Sequence, residues 1–228
     1  MSERPVHEHI RELSRELVAL SETVLANFDR ALEAVRQQDL QAGRRVKEVD
    51  DEINLAEVRL EERCLAFLAL QQPVARDLRT IVTIIKINDD LERIGDLAVH
   101  IVERMPSLGT DVMKGYEFEK MGGVASQMVR KSLDAFINRD RHLAAEVCKS
   151  DEEVDAMHRL VFKRVGEAMK QDGSNTDQQL AVLSVSRYIE RMADHATRIA
   201  LEVIYLVTGE IVRHGEDSFE KLVRSLRD

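Results

Sequence analysis

Tryptophan is absent from the 228 residues, and proline and glycine number only 3 and 10. So few chain breakers and aromatics argue against a fold built from strands and tight turns, and for long helices. Cysteine is almost missing. Cys64 and Cys148 alone supply no disulfide or metal framework, and they read as small buried apolar residues in a reducing compartment. No uncharged apolar run approaches the ~20 residues a membrane span needs. The stretch from Met1 to His9 lacks the apolar core of a leader. A cytoplasmic protein that meets membranes only through partners is therefore expected. An excess of positive charge is lacking as well. The formal net charge of −9 excludes the basic footprint of a general nucleic-acid binder and suits cations or basic partner surfaces. No P-loop, nucleophile elbow, Cys-x-x-Cys or Glu-x-x-His occurs, so the common signatures of nucleotide, acyl-transfer, redox and di-iron enzymes are missing.

What is present is helical periodicity. Ile10, Leu13, Leu17, Leu20, Val24, Phe28, Ala31 and Val35 alternate spacings of three and four. A second stripe runs from Val46 to Phe67, and Pro73 is placed to open a third helix carrying Ile84 to Met105. Pro106 to Thr110 interrupts the pattern. It then restarts with a helix from about Tyr116 to Arg139, weakened at Gly122-Gly123, a fifth from Asp140 to Gln171, and a sixth ending near Gly209. Asp39 and Asp140 read as N-caps, and Thr176 with Gln179 as a capping box.

One unit is used twice. Leu32, Ala34, Asp39, Val46 and Asp50 recur 101 residues later as Leu133, Ala135, Asp140, Val147 and Asp151. Glu92, Arg93, Asp96, Ala98 and Ile101 recur 98 residues later as Glu190, Arg191, Asp194, Ala196 and Ile199. The expected architecture is all-α, two tandem, sequence-related three-helix bundles. The first covers 1–106, a linker 107–115, the second 116–214, and a tail 215–228 could add a short helix.

Each unit holds Glu-Arg-x-x-Asp, which sets a Glu and an Asp a turn apart on one helix face. Asp50 with Asn54, and Asp151 with Asp155, form matching pairs on the preceding helices. If each hairpin turns at Pro73 or at Gly173, residues 50–54 lie level with 92–96, and 151–155 level with 190–194. These positions flank the core stripe, at the bundle edge. The candidate metal ligands are thus Asp50, Asn54, Glu92 and Asp96 in one site and Asp151, Asp155, Glu190 and Asp194 in the other. Clustered carboxylates repel one another, and a divalent or trivalent cation would relieve them. Oxygen donors suit magnesium, manganese, calcium or iron. The plainer alternative is a solvated helix face, with Arg93 and Arg191 neutralising the acids. His100 and His195 stand near the acids but read as surface residues. No catalytic residue is assigned.

The segments Gln72-Pro73-Val74-Ala75-Arg76-Asp77-Leu78-Arg79 and Leu91-Glu92-Arg93-Ile94-Gly95-Asp96 resemble the first repeat of the PhoU family of phosphate-signalling regulators. Arg187 to Ala196 resembles the second repeat, and Gly209 to His214 the closing segment. The resemblance implies two repeated helical bundles whose acidic motifs bind metal: iron or zinc in some members, magnesium or manganese in others. It implies a non-enzymatic negative regulator of the phosphate-starvation response, which couples a phosphate ABC transporter, through its ATPase subunit, to a sensor histidine kinase. A homodimer is the expected assembly. Two departures stand out: Asn54 sits where the second repeat has Asp155, and Met192-Ala193 replaces Ile94-Gly95. A metal-dependent helical enzyme and a metal-free helical adaptor are the rival expectations.

Overall fold

The computed structural model describes residues 5–109 and 115–210. Among them are six long helices: α1 (Pro5–Gln37), α2 (Leu40–Gln71), α3 (Ala75–Val102), α4 (Phe118–Asn138), α5 (Arg141–Gln171) and α6 (Thr176–Thr208). No strand occurs among the described residues, and single 3-10 turns lie at Met105–Ser107 and Gly173–Asn175. Part of the expected linker (110–114), the closing segment beyond Glu210 and the expected tail helix lie outside the described residues.

The helix ends follow mostly from local chemistry. Asp39 and Asp140 cap α2 and α5: each accepts hydrogen bonds from two backbone amides, at 2.9 and 3.0 Å. The residues before them, Gln38 and Arg139, take a left-handed conformation that closes the preceding helix. Two expectations fail. Pro73 does not open α3, which starts at Ala75 behind an extended Val74. The Thr176 capping box does not form: Thr176 is already helical and Asn175 takes the cap position, while the Thr176 hydroxyl donates to the Gly173 carbonyl at 2.8 Å. The Gly122-Gly123 step does not break α4, whose backbone continues through it. A methyl at Gly122 would collide with Leu32 of α1, so this glycine lets the two helices approach.

Helices α1, α2 and α3 pack together, as do α4, α5 and α6. The apolar stripes face inward, with Leu17, Phe28, Ile53, Ile84 and Ile94 fully buried in the first unit. The two units share one core. They meet chiefly through α3 and α6, with α1 touching α4. Across that seam Lys86 donates to both carboxylate oxygens of Glu202 at 2.8 Å, and the rings of His100 and Tyr188 stand 5.4 Å apart. These pairs run in opposite chain directions, so α3 and α6 are antiparallel. Residues 92–96 and 190–194 therefore lie at the same height.

The thiols differ a little from expectation. Cys64 is buried, but Cys148 only half so, and burial pushes both thiols up to about 12.

Candidate functional site

The hairpin registers bring the expected acids together. In the first unit Asn88 of α3 donates to the Glu57 carbonyl of α2 at 2.9 Å. In the second, the His158 Nδ1 lies 2.8 Å from the Ser186 hydroxyl. These pairs occupy equivalent positions in the repeat, and both centre the hairpins within a residue of Pro73 and Asp172. Asp50 then falls opposite Gly95, and Asp151 opposite Ala193, the residue before Asp194.

Asp50 sits deeper than the edge position read from the sequence: it is only 8% exposed. Its Oδ1 presses on the α3 backbone, where a methyl on Gly95 would stand 3.0 Å away. Glycine thus makes room for the carboxylate, and larger residues would push it out. Asn54 donates to the other oxygen, Oδ2, at 3.4 Å. Asp50 Oδ1, Asn54 Oδ1 and Glu92 Oε2 are buried atoms without a hydrogen-bond partner. Such oxygens are unusual in a settled core and call for an explanation. Asn54, Glu92, Asp96, Asp151, Asp155 and Glu190 are half-buried, while Asp194 is exposed.

Asp50, Glu92, Asp151, Glu190 and Asp194 hold protons more tightly than usual. Desolvation, then repulsion from Asp96, raises Asp50 to about 6, against the relief given by Asn54 and His100. Asp151 also rises to about 6, through desolvation and then repulsion by Asp194, Asp155 and Glu190. Glu92, Glu190 and Asp194 are raised too, each first by desolvation; Asp96 repels Glu92, Asp194 repels Glu190, and Asp155 repels Asp194. Asn54 relieves the first site where Asp155 strains the second.

Arginines neutralise only in part. Arg93 stands 3.4 Å from Glu92 and 3.6 Å from Asp96, and Arg159 stands 3.8 Å from Asp155. These cations are more than half exposed, where an ion pair contributes on the order of 0–1 kcal/mol. The donor chemistry fits a hard cation: carboxylates and an amide oxygen, several without partners. The side-chain positions are more open than a closed site. Among the described residues no group of three or more His, Cys, Asp or Glu converges closely enough to hold an ion.

Two histidines depart from the surface positions expected of them. His195 is 4% exposed, and its Nδ1 lies 2.7 Å from Asp90 of α3. His100 is half-buried, its Nδ1 has no partner, and it draws the Asp50 proton affinity down. The sequence held a signal for the first of these: His195 sits beside the apolar pair Ala193 and Ala196. Nothing in one sequence pairs it with Asp90.

The PhoU domain family matches twice, at residues 17–105 and 118–203. The chain belongs to the PhoU family. A phosphate-specific transport system accessory protein PhoU homolog from Clostridium acetobutylicum is 34% identical over 217 residues, 93% of this chain and 98% of that protein. One from Aquifex aeolicus is 35% identical over 209 residues, 91% and 95% of the two chains. Among solved structures, PhoU from Pseudomonas aeruginosa superimposes with a TM-score of 0.81 at 32% identity, covering 90% of this chain and 99% of that one. The phosphate transport system regulatory protein PhoU from Streptococcus pneumoniae gives 0.84 at 26% identity, covering 92% and 100%. The all-helical fold built from a repeated PhoU domain is thus shared with both solved proteins. Its relatives are named as accessory proteins and not as enzymes, in line with the non-enzymatic expectation. No described helix is long and apolar enough to cross a membrane.

Proposed function

We propose that this PhoU protein is a cytoplasmic, metal-binding negative regulator of the phosphate-starvation response. It acts on phosphate uptake by coupling a phosphate ABC transporter, through its ATPase subunit, to a sensor histidine kinase. The transport-system connection draws on the names of its relatives. The metal part draws on one observation above others: Asp50, buried beneath Gly95 with an unpartnered oxygen and a pKa near 6.

Asp50, Asn54, Glu92 and Asp96 would hold one ion or cluster, and Asp151, Asp155, Glu190 and Asp194 the other. Iron, zinc, magnesium and manganese are the candidates. A bound cation would offset the repulsion and fix α2 to α3 and α5 to α6. This chain's own residues supply the rest. Arg93 and Arg159 temper the outer charge, and Gly95 sets how near Asp50 comes to α3. Apolar side chains exposed beside these faces, Leu55 and Val58 on α2 and Leu160 and Phe162 on α5, suit docking to a partner. The homodimer belongs to the same proposal.

Deleting the gene in phosphate-rich medium tests the regulatory part. Expression of phosphate-starvation genes should rise and uptake should lose its restraint. Unchanged expression and uptake would contradict the proposal.

A further inference from the structure

The other end of α3 holds a feature that the acid sites do not use. A cleft of about 490 Å³ opens between the start of α1, the start of α3, and the ends of α4 and α6. Ile10, Val18, Phe136, Ile137 and Leu206 form its apolar wall, and Thr80, Arg15 and Arg139 its polar side. A second cleft of about 370 Å³ adjoins it, and Arg76 and Arg139 line that one. Among the described residues lining the two clefts, Asp77 is the only carboxylate.

Arg139 is shared by both clefts. One of its nitrogens donates to the Thr80 hydroxyl at 3.3 Å, while Nη1 is buried and has no partner. Burial and the nearby Arg76 push the Arg139 pKa below its ordinary value, and Asp77 offsets only part of that. A guanidinium placed with an unsatisfied donor beside another cation is unfavourable unless an anion completes it.

The internal repeat supplies an independent control. It builds an equivalent cleft of about 430 Å³ at the opposite end, lined by Leu32, Arg36, Tyr116 and Glu119. There the charges balance, with Arg36 paired to Glu119 at 3.0 Å. The counterparts of Arg15, Arg76 and Arg139 are Tyr116, Ser174 and Gln38. Gln38 takes the same left-handed backbone as Arg139 and satisfies itself on the Val35 carbonyl at 3.1 Å. The fold therefore needs a helix end at this position but not an arginine. The cationic cleft is particular to one end.

We propose that this cleft is a binding site for an organic phosphate. Arg139 and its neighbouring arginines hold the phosphoryl group, and Phe136, Ile137 and Leu206 pack against the apolar or planar body. Arginine forks match phosphate oxygens in pairs, and the cleft is of the size that takes a small metabolite. A nucleoside monophosphate has this chemistry. The cleft lies roughly 20 Å along α3 from the acid sites, so the proposal stands apart from the metal reading.

Calorimetric titration of the full chain with AMP, and separately with inorganic phosphate, tests it. AMP should bind saturably, one per chain. Arg139→Gln, which installs the residue of the other repeat, should weaken AMP at least about tenfold with an unchanged melting temperature. The exposed Ile137→Ser should weaken AMP but not phosphate. Glu92→Ala/Asp96→Ala should bind AMP normally, which separates this site from the acid sites. No saturable AMP binding, or equal AMP affinity in Arg139→Gln, would overturn the site. Phosphate binding as tightly as AMP, with Ile137→Ser neutral, would overturn the organic body.

Discussion

Asp50 and Asp151 carry the strain of the two sites. A carboxyl whose pKa is raised from 3.8 to about 6 in the folded state contributes stability below the lower value. That contribution is lost as pH rises through about 6. Metal-free protein should therefore gain stability on acidification from pH 7 towards 5. Metal affinity should move the other way and fall by about tenfold over the same interval, because protons compete for the ligands. Asp50→Asn separates the two effects. It should raise the stability of the metal-free protein by about 1–2 kcal/mol in denaturant titration at pH 7, since a desolvated charge is removed. It should also weaken metal binding at the first site. A loss of metal-free stability would contradict the assignment of strain to this residue. The buried Asp90–His195 pair makes the opposite prediction. His195→Leu should cost about 2 kcal/mol by leaving the buried Asp90 side chain without its hydrogen-bond partner, and Asp90→Leu/His195→Leu should recover most of that. Equal loss in the single and double variants would mean that packing, not the hydrogen bond, matters at the seam.

At the scale of helices, much was legible in the residues. The three-and-four spacing located all six helices, and Asp39 and Asp140 marked two starts because a carboxylate at an N-cap answers orphan amides. The hairpin registers followed from turn positions, and Asn88 on Glu57 and His158 on Ser186 match them. Depth was less legible. Asp50 follows Val49 by one position, so periodicity put it at the edge, whereas α3 covers it because Gly95 has no side chain there. The glycines of α4 separate similarly. A methyl at Gly123 would meet nothing within 4 Å, so Gly123→Ala should stabilise the protein by about 1 kcal/mol through helix propensity. Gly122→Ala should lose that gain to the clash with Leu32, and thermal unfolding of the two variants side by side would decide it. Equal stabilisation by both would mean that α1 and α4 do not need the close approach.

For the whole molecule, the repeat was visible but its packing was not. Constant offsets of 101 and 98 reveal a duplicated unit, yet apolar stripes on α3 and α6 do not say which partner each stripe meets. The antiparallel seam sets both acid sites at one height and ties them through Asp90–His195 and Lys86–Glu202. The sites are not equal, since Asp155 adds an acid where the first has Asn54. The second should bind metal more tightly, and equal filling under limiting metal would count against that ranking. We propose that each Glu-x-x-x-Asp pair is half of a metal site. Elemental analysis of protein purified without chelator, wild type beside Glu92→Ala/Asp96→Ala and Glu190→Ala/Asp194→Ala, tests it most directly. We expect bound metal in the wild type, a partial loss in each double variant with the larger loss in the second, and unchanged helicity by circular dichroism. A wild type without bound metal, or variants that keep the full complement, would contradict the account.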